Sequence, residues 1–326
     1  MAHNIYITRK IPEAGITRLK WHGATVEINP NDRSLTREEL LSAVAGRDGI
    51  CCMLSDAVDA DILTAAGPNC RAFANYAVGF NNIDIPAATR LGILVTNTPG
   101  VLTDATADIA WALMLATARR IPESETLVRS GEWAGWAPLQ YLGQNVYGAT
   151  LGIVGAGRIG TAVALRSVGF KMNVLYVARK DNAQLDEIGG RRVDLETLLR
   201  ESDFVSLHVP FTDQTRHMIG PRELDIMKPT AFLINTARGA VVDEKALVAA
   251  LQHGTIAGAG LDVYENEPAL ADGLTELKNV VCIPHLGSAT HATRSRMSEM
   301  VADNLIAALE GRRPPHLVNP DAYRGT

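Results

Sequence analysis

Three glycines near the middle of the chain have the spacing that phosphate binding requires. Residues 151–160, LGIVGAGRIG, place a GxGxxG pattern after an apolar run and before a helix-forming stretch. The first glycine permits a tight turn, the second lets the backbone approach a pyrophosphate, and the third allows close helix–strand packing. The helix N-terminus also attracts the anion. A lone GxGxxG is weak evidence, but strand, turn, helix and second strand all follow at the spacing of a dinucleotide site. The predicted cofactor-binding residues of this turn are Gly155, Gly157, Arg158, Ile159 and Gly160.

The turn after the next predicted strand, Asn173–Val177, carries two cations. An acid at this point would bind the ribose 2′-hydroxyl of NAD and repel a 2′-phosphate. The sequence instead reads Ala178-Arg179-Lys180, where two cations could pair with the 2′-phosphate of NADP. The pattern favours NADPH as the cofactor. Nearby Asp181 leaves NADH open, and a solvated charged loop is the ordinary alternative.

Ionisable residues follow at or near the ends of further predicted strands. They are Arg238 in the motif NTARG, Glu267 in ENEP and His285 in PHLGS. Taken singly, each has a structural explanation: a surface cation, a helix-start residue before Pro268, and a core histidine with satisfied hydrogen bonds. Taken together, they could bind an anionic substrate and exchange a proton with it.

With these motifs in this order, the sequence resembles the D-isomer-specific 2-hydroxyacid dehydrogenase family over nearly its whole length. The resemblance includes YAVGFNNID at 76–84 and GLDV at 260–263. Within the family, GWAPLQYLG at 135–143 and PHLGSATH at 284–291 are similar to the glyoxylate/hydroxypyruvate reductases. Several spaced motifs are far more specific than any single one.

The resemblance implies a role for each ionisable residue. Arg238 would bind the substrate carboxylate with its planar guanidinium and polarise the keto oxygen. His285 would be the general acid that protonates this oxygen as hydride reaches the carbon. Glu267 would hold the imidazole and favour its protonated form. The expected reaction is the reduction of a small 2-keto acid, glyoxylate or hydroxypyruvate, to the 2-hydroxy acid.

Further residues match binding positions of the family. Val78 and Gly79 match a loop whose backbone N–H groups receive the substrate carboxylate, and Ser288 matches a substrate contact. A tryptophan such as Trp136 is more often a packing residue, but in the resembling reductases this arm reaches toward the partner's active site. The remaining cofactor-contacting positions are Thr106, Pro210, Thr236, Asp262 and Gly287. No metal site is expected, because the hydride chemistry needs none.

Strand-like and helix-like segments alternate along the chain, as in parallel α/β sheets. The predicted strands are Ile5–Thr8, Thr25–Ile28, Gly49–Leu54, Ala72–Tyr76, Leu94–Thr96, Thr150–Val154, Asn173–Val177, Phe204–Val209, Ala231–Asn235, Ala257–Asp262 and Val280–Ile283. The predicted helices include Thr36–Ala45 with a Thr36/Glu39 capping box, about 103–119, about 122–130, Ile159–Val168 and about Ala292–Leu309.

A second set of βαβ units begins at Thr150, and one helix remains after it. We therefore predict two doubly wound parallel-sheet α/β domains, with a Rossmann cofactor domain inserted into a flavodoxin-like substrate domain. The substrate-binding domain would comprise 1–98 and 287–326, and the dinucleotide-binding domain 99–286. Dimerisation helices and an irregular arm are expected at about 103–147, because a very apolar helix adjoins a tryptophan-bearing segment.

Composition limits the other possibilities. The 326 residues are 47% hydrophobic and carry a net charge of −5, without the basic stripe that nucleic-acid binding requires. No apolar run reaches the roughly 18 residues of a membrane span, and the N-terminus lacks a signal-peptide pattern. The four cysteines form neither a disulfide framework nor a zinc site. These features favour a cytoplasmic protein without a nucleic-acid or membrane partner, and the apolar helix with its adjoining arm favours a homodimer.

Two other functions stay open from the sequence. One is an NAD-dependent D-2-hydroxyacid dehydrogenase that oxidises a different acid. The other is a cofactor-sensing binding protein of the corepressor type, since fold alone does not decide function. The cations at 179–180 and the Trp136 tract argue against the first. The presence of all three ionisable residues, without an extended disordered tail, argues against the second.

Overall fold

The computed structural model describes residues 3–324. The strands in this range are β1 (Asn4–Ile7), β2 (Thr25–Ile28), β3 (Gly49–Cys52), β4 (Ala72–Asn75), β5 (Leu94–Thr96), β6 (Thr150–Val154), β7 (Asn173–Val177), β8 (Arg191–Arg192), β9 (Phe204–Leu207), β10 (Phe232–Asn235), β11 (Gly258–Leu261) and β12 (Val280–Cys282). The α-helices are α1 (Glu13–Trp21), α2 (Arg37–Val44), α3 (Ala60–Ala66), α4 (Ile85–Leu91), α5 (Thr103–Ala118), α6 (Ile121–Arg129), α7 (Arg158–Arg166), α8 (Ala183–Glu187), α9 (Leu195–Glu201), α10 (Pro221–Ile226), α11 (Glu244–His253) and α12 (His291–Leu309).

The chain forms two compact units. One comprises the residues through Leu102 together with those from Ser288 onward, and the other comprises Thr103–Gly287. The insertion that we predicted from the sequence runs from 99 to 286.

The first unit contains a five-stranded parallel sheet in the order β2-β1-β3-β4-β5. Side chains alternate between the two faces of a strand. In β1, Ile5 and Ile7 therefore pack into a core with Leu305 of α12, while Tyr6 packs into a second core with Phe73. This strand order is the flavodoxin-like one.

The second unit contains a seven-stranded parallel sheet in the order β12-β11-β10-β9-β6-β7-β8. The strand order reverses between β6 and its neighbour β9, as in a Rossmann fold. Ligands of open α/β sheets bind at the carboxyl ends of the strands near such a reversal. Both predicted sheets are thus present, and the predicted fold class is confirmed.

Helix α5 is apolar because it is buried within its own unit. Ala110, Trp111, Leu113 and Met114 belong to a core cluster of the seven-stranded sheet. Trp111 donates a hydrogen bond from Nε1 to the carbonyl oxygen of Val163 at 2.9 Å. Its ring also stacks on another aromatic ring, with the centroids 4.7 Å apart. The apolar composition that we took as a sign of a dimer interface is explained largely by this packing.

The predicted elements differ from the observed ones mainly at their ends. Helix α7 stops at Arg166 and continues as a 3-10 turn over Ser167–Phe170, where we had extended the helix to 168. The Thr36/Glu39 capping box is present. Strand β8 was missed, because two arginines carry none of the β-branched or aromatic residues that signal a strand.

Two expectations concern absences. Within residues 3–324, no helix is long and apolar enough to cross a membrane. The prediction that the N-terminus lacks a signal peptide includes Met1 and Ala2, which lie outside the described residues.

Candidate active site

The glycine-rich turn after β6 is shaped by close backbone contacts. Gly155 has φ +99°, and a Cβ there would lie 2.8 Å from the backbone carbon of His208. A Cβ at Gly160, in the first turn of α7, would lie 2.1 Å from the carbonyl oxygen of Gly155. Real Cβ atoms do not approach so closely, so larger residues at either position would displace the turn. The turn and helix therefore pack in the tight form that the sequence predicted.

The same turn leaves space and hydrogen-bond donors for an anion. A Cβ at Gly157 would meet no other atom within 4 Å. Gly157 precedes Arg158 and Ile159, which begin α7, and no side chain caps this helix end. Its first N–H groups and the helix dipole are thus suited to a phosphate. Across the sheet, the buried Thr236 Oγ1 has no hydrogen-bond partner among residues 3–324. These features fit a nicotinamide dinucleotide.

The turn after β7 presents the predicted cations to solvent. Ala178 is partly buried, whereas the side chains of Arg179 and Lys180 are exposed. Asp181, which we had left as a possible ribose ligand, forms an ion pair with Arg192 of β8, with Oδ1 and Nη1 2.8 Å apart. The acid in this turn is therefore paired with a cation that the sequence analysis did not identify.

Arg238 lies in a turn after β10 that Asn235 organises. Asn235 Oδ1 accepts the Ala237 N–H at 3.0 Å, and Asn235 Nδ2 donates to the Arg238 carbonyl oxygen at 3.0 Å. The turn packs directly on the loop after β11, because a Cβ at Gly239 would lie 1.8 Å from the carbonyl carbon of Tyr264. This backbone contact requires glycine and holds the Arg238 turn against the loop that leads to the predicted carboxylate.

Glu267 and His285 form an ion pair. His285 Nδ1 lies 3.0 Å from Glu267 Oε2, and both side chains are partly exposed, at 28% and 31%. The other oxygen of Glu267, Oε1, accepts the Tyr264 N–H at 3.0 Å. His285 has φ +53°, a conformation that few residues other than glycine adopt. Backbone strain of this kind is concentrated at functional sites.

The charges of this cluster support one another. Burial raises the pKa of the Glu267 carboxyl, but the hydrogen bond and charge of His285, the Tyr264 N–H and Arg238 together bring its pKa below the ordinary value. Burial lowers the pKa of the Arg238 guanidinium below its ordinary value, and the Glu267 charge offsets only part of that decrease. Since free guanidinium titrates far above neutral pH, Arg238 remains a cation. The cluster thus combines a fixed cation and an ionised carboxylate with the imidazole between β12 and the next helix.

Asp262 fixes the backbone that follows His285. Its two carboxylate oxygens accept the N–H groups of Leu286 and Gly287, the second at 2.8 Å. Burial raises the pKa of the Asp262 carboxyl above its ordinary value, and these N–H donors and His285 offset only part of that rise. Thr106 Oγ1 donates to the Gly287 carbonyl oxygen at 3.0 Å. Three predicted cofactor-contacting residues, Thr106, Asp262 and Gly287, are thus brought together.

The chain matches a family model described as "D-isomer specific 2-hydroxyacid dehydrogenase, NAD binding domain" over residues 111–287. A glyoxylate reductase of Thermococcus litoralis is 54% identical, with 98% of each chain covered. The chain belongs to the D-isomer specific 2-hydroxyacid dehydrogenase family. It is therefore an NAD(P)-dependent oxidoreductase that interconverts 2-hydroxy and 2-keto acids.

Solved structures agree with this family. The crystal structure of the TT0316 protein from Thermus thermophilus has a TM-score of 0.91 at 44% identity, covering 97% of this chain and 99% of that one. An NADPH-dependent glyoxylate/hydroxypyruvate reductase from Sinorhizobium meliloti, solved with NADP and malonate, has a TM-score of 0.86 at 34% identity, covering 100% and 99%.

The first unit of this dehydrogenase holds three more of the predicted substrate residues, Val78, Gly79 and Ser288. Val78 and Gly79 follow β4, and their carbonyl oxygens accept hydrogen bonds from Asn97 Nδ2 at 2.7 Å and Asn75 Nδ2 at 2.8 Å. Their backbone is therefore fixed by buried or partly buried amides. Ser288 begins the C-terminal part of the same unit.

Two predicted residues of the dehydrogenase lie on the surface of the second unit. Trp136 is 83% exposed in the irregular segment after α6. Pro210 follows β9 and is exposed, and its carbonyl oxygen accepts a hydrogen bond from Thr215 Oγ1 at 2.7 Å. The structure connects neither residue to the Arg238, Glu267 and His285 cluster.

Sequence reasoning missed Tyr264 and Asn235, the residues that orient Glu267 and Arg238. Both stand in or beside the motifs, and their positions at strand ends were the available signal. His208, which follows β9, bonds Ser206 Oγ through Nε2 at 2.8 Å, and burial lowers its pKa to about 3. It is neutral at physiological pH. Within residues 3–324, no three His, Cys, Asp or Glu side chains converge as a metal site.

Proposed function

We propose that this dehydrogenase reduces glyoxylate and hydroxypyruvate with NADPH, and that His285 is the general acid. The observation that carries the proposal is the 3.0 Å pairing of His285 Nδ1 with Glu267 Oε2 in a cluster that also contains Arg238. The relatives named above supply the substrate class, because they are named as reductases of glyoxylate or of glyoxylate and hydroxypyruvate.

The side chains divide the work of reduction. Arg238 binds the substrate carboxylate and polarises the keto oxygen through its N–H donors. Glu267 accepts the Nδ1 proton of His285, so Nε2 is the nitrogen that donates its proton to the keto oxygen. The hydride that completes the reduction at carbon comes from the bound nicotinamide cofactor. The family resemblance also assigns the backbone N–H groups of Val78 and Gly79 and the Ser288 side chain to substrate binding.

Cofactor binding is assigned to the second unit. The glycine turn, residues 155–160, receives the pyrophosphate, and Arg179 and Lys180 pair with the 2′-phosphate. The other proposed contacts are Thr106, Ala178, Pro210, Thr236, Asp262 and Gly287. Hydrogen bonds to charged groups contribute roughly 1.5–3 kcal/mol each. Replacing Arg179 and Lys180 by alanine should raise the KM for NADPH by at least about ten- to a hundredfold, the loss of one such bond, and leave the KM for NADH nearly unchanged.

Steady-state assays with each keto acid and each cofactor test the proposal. We expect a higher kcat/KM for glyoxylate and hydroxypyruvate than for pyruvate, and a lower KM for NADPH than for NADH. An equal or higher kcat/KM for pyruvate or a bulky keto acid would refute the substrate assignment. A wild-type preference for NADH would refute the cofactor assignment and favour the NAD-dependent alternative.

We also propose that the enzyme is a homodimer in which α6 and the arm, residues 131–147, meet a second copy. The large apolar side chains exposed in this region are Ile121, Val128, Trp133, Trp136, Leu139, Leu142 and Tyr147. Exposed apolar patches mark interaction sites, and aromatic residues are enriched at interfaces. Light scattering at micromolar concentration should give twice the mass of one chain, 35.0 kDa. A monomeric mass would refute the dimer.

A further inference from the structure

The turn after β7 is held by an arginine from the neighbouring strand. Strand β8 consists of Arg191 and Arg192 and pairs with β7, with Arg192 opposite Tyr176. Three nitrogens of Arg192 reach across the end of β7. Nε donates to the Ala178 carbonyl oxygen at 3.0 Å, Nη2 to the Arg179 carbonyl oxygen at 3.3 Å, and Nη1 to Asp181 Oδ1 at 2.8 Å. One guanidinium therefore binds both the backbone and the acid of this turn.

The far end of the turn is held by Asn182. Its Nδ2 donates to Thr161 Oγ1 at 2.7 Å and to the carbonyl oxygen of Ala156, in the glycine turn, at 3.1 Å. Its N–H donates to the Tyr176 hydroxyl at 3.2 Å. The exposed cations Arg179 and Lys180 thus lie in a segment that is fixed at both ends, by Arg192 on one side and the glycine turn on the other.

The Arg192–Asp181 ion pair also neutralises the negative charge of the turn. A pocket of about 590 Å³ beside it is lined by Val177, Ala178, Asp181, Arg192, Val193 and Asp194. Asp194 is committed to capping α9, where it accepts the Thr197 N–H at 2.8 Å. Asp181 is the acid of the turn itself, and an unpaired carboxylate there would repel a 2′-phosphate and could accept a hydrogen bond from a ribose 2′-hydroxyl.

We propose that Arg192 is a specificity-determining residue for the cofactor. By pairing with Asp181, Arg192 neutralises a carboxylate that would otherwise favour NADH. By binding the carbonyl oxygens of the turn, it keeps the backbone in the conformation that admits a 2′-phosphate. The inference rests on the proposed binding of NADPH at this turn, but it concerns the ratio of two affinities rather than the identity of the keto acid.

The test measures binding of cofactor fragments and needs no turnover. Calorimetry of 2′-phospho-ADP-ribose and of ADP-ribose gives two dissociation constants for each variant, and thermal melting reports whether the variant is folded. Arg192→Met should weaken the phosphorylated fragment relative to the other by about threefold to tenfold, because it leaves Asp181 unpaired. Arg191→Met is the matched control: it removes the same charge from the same strand, but Arg191 pairs with Glu201 instead.

A second variant separates charge from simple structural support. In Asp181→Asn/Arg192→Met the repelling carboxylate is absent, so the affinity ratio should return most of the way to the wild-type value. The inference is overturned if Arg192→Met leaves the ratio unchanged, weakens both fragments equally, or changes the ratio no more than Arg191→Met does. It is also overturned if the double variant shows no recovery.

The same titrations distinguish this failure from failure of the proposed function. A wild-type protein that binds ADP-ribose more tightly contradicts the NADPH preference. The effect of Arg192 on the ratio can be measured in that case too, and a shift toward ADP-ribose in Arg192→Met would still support the inference.

Discussion

The glycine turn and the Glu267–His285 pair belong to the same unit, but the first depends on the absence of side chains and the second on charged side chains. Around Gly155, Gly157 and Gly160, missing side chains let backbone atoms pack together and leave space beside a helix end. At Glu267 and His285, charged side chains lie 3.0 Å apart on a strained backbone. Substitutions in the glycine turn should therefore act by steric crowding, and substitutions in the Glu267–His285 pair by changing charge and proton transfer.

The largest expected effect comes from removing the imidazole. His285→Ala should lower kcat about 100- to 10,000-fold, the usual contribution of general acid catalysis. Cofactor binding should persist, because the glycine turn does not depend on this side chain. Steady-state kinetics and a fluorescence titration with NADPH measure the two effects. Near-normal kcat would remove His285 from the mechanism, and loss of cofactor binding would contradict the separation of the two regions.

Within the glycine turn, two alanine substitutions should fail in different ways. A Cβ at Gly157 meets no protein atom within 4 Å, so Gly157→Ala should keep its melting temperature without cofactor. It should nevertheless weaken the cofactor by about tenfold or more, or ~1.4 kcal/mol, because the methyl group occupies the path of the pyrophosphate.

Gly155→Ala is the comparison, since its Cβ meets the His208 backbone at 2.8 Å and its φ is +99°. It should lose about 1–3 kcal/mol of folding free energy before any cofactor is added. Denaturant unfolding measures the folding free energy of both variants, and calorimetric titration measures their cofactor affinity. If both destabilise the free protein equally, the turn is limited by backbone strain alone and the open space at Gly157 has no functional meaning.

The smallest expected effect is a shift in a pH profile. Glu267 has a lowered pKa, so it is ionised at neutral pH and stabilises the protonated imidazole. Glu267→Gln removes that negative charge from beside the imidazole, so the charged form of the general acid loses its partner. The alkaline limit of reductive activity should move to lower pH, with a smaller loss of kcat than in His285→Ala. An unchanged alkaline limit would leave Glu267 as a structural residue, and a shift to higher pH would reverse the assigned sign.

The two regions also differ in how much the sequence could predict. The glycine turn is read from neighbouring residues, and Gly155, Gly157 and Gly160 stand on the predicted strand–helix junction. Residues 238, 267 and 285 are recognised by motif, but their proximity depends on the contact between Gly239 and Tyr264, which no local pattern contains. Arg192 was missed because its partner Asp181 is 11 residues away and the connecting strand has no apolar signature.

The dimer expectation shows a different limit. Sequence periodicity identified α5 as very apolar, but it cannot tell whether the unit's own sheet covers that helix. The structure buries Leu113 and Met114 of α5 and leaves Trp136 and Leu139 of the arm exposed. Burial of this kind depends on tertiary packing, which only the folded chain reveals.

Strand β8 has an evolutionary consequence. It is two residues long and lies at the edge of its sheet, where it pairs with β7 alone. Its arginine side chains are exposed, so exchanging them disturbs little of the buried core. Substitution of Arg192 acts on the turn after β7, because its guanidinium bonds that turn, rather than on the packing of the core. If Arg192 determines the cofactor, substitution at this exposed edge could move a lineage between the phosphorylated and unphosphorylated nicotinamide pools, while its buried core and its hydride chemistry stayed unchanged.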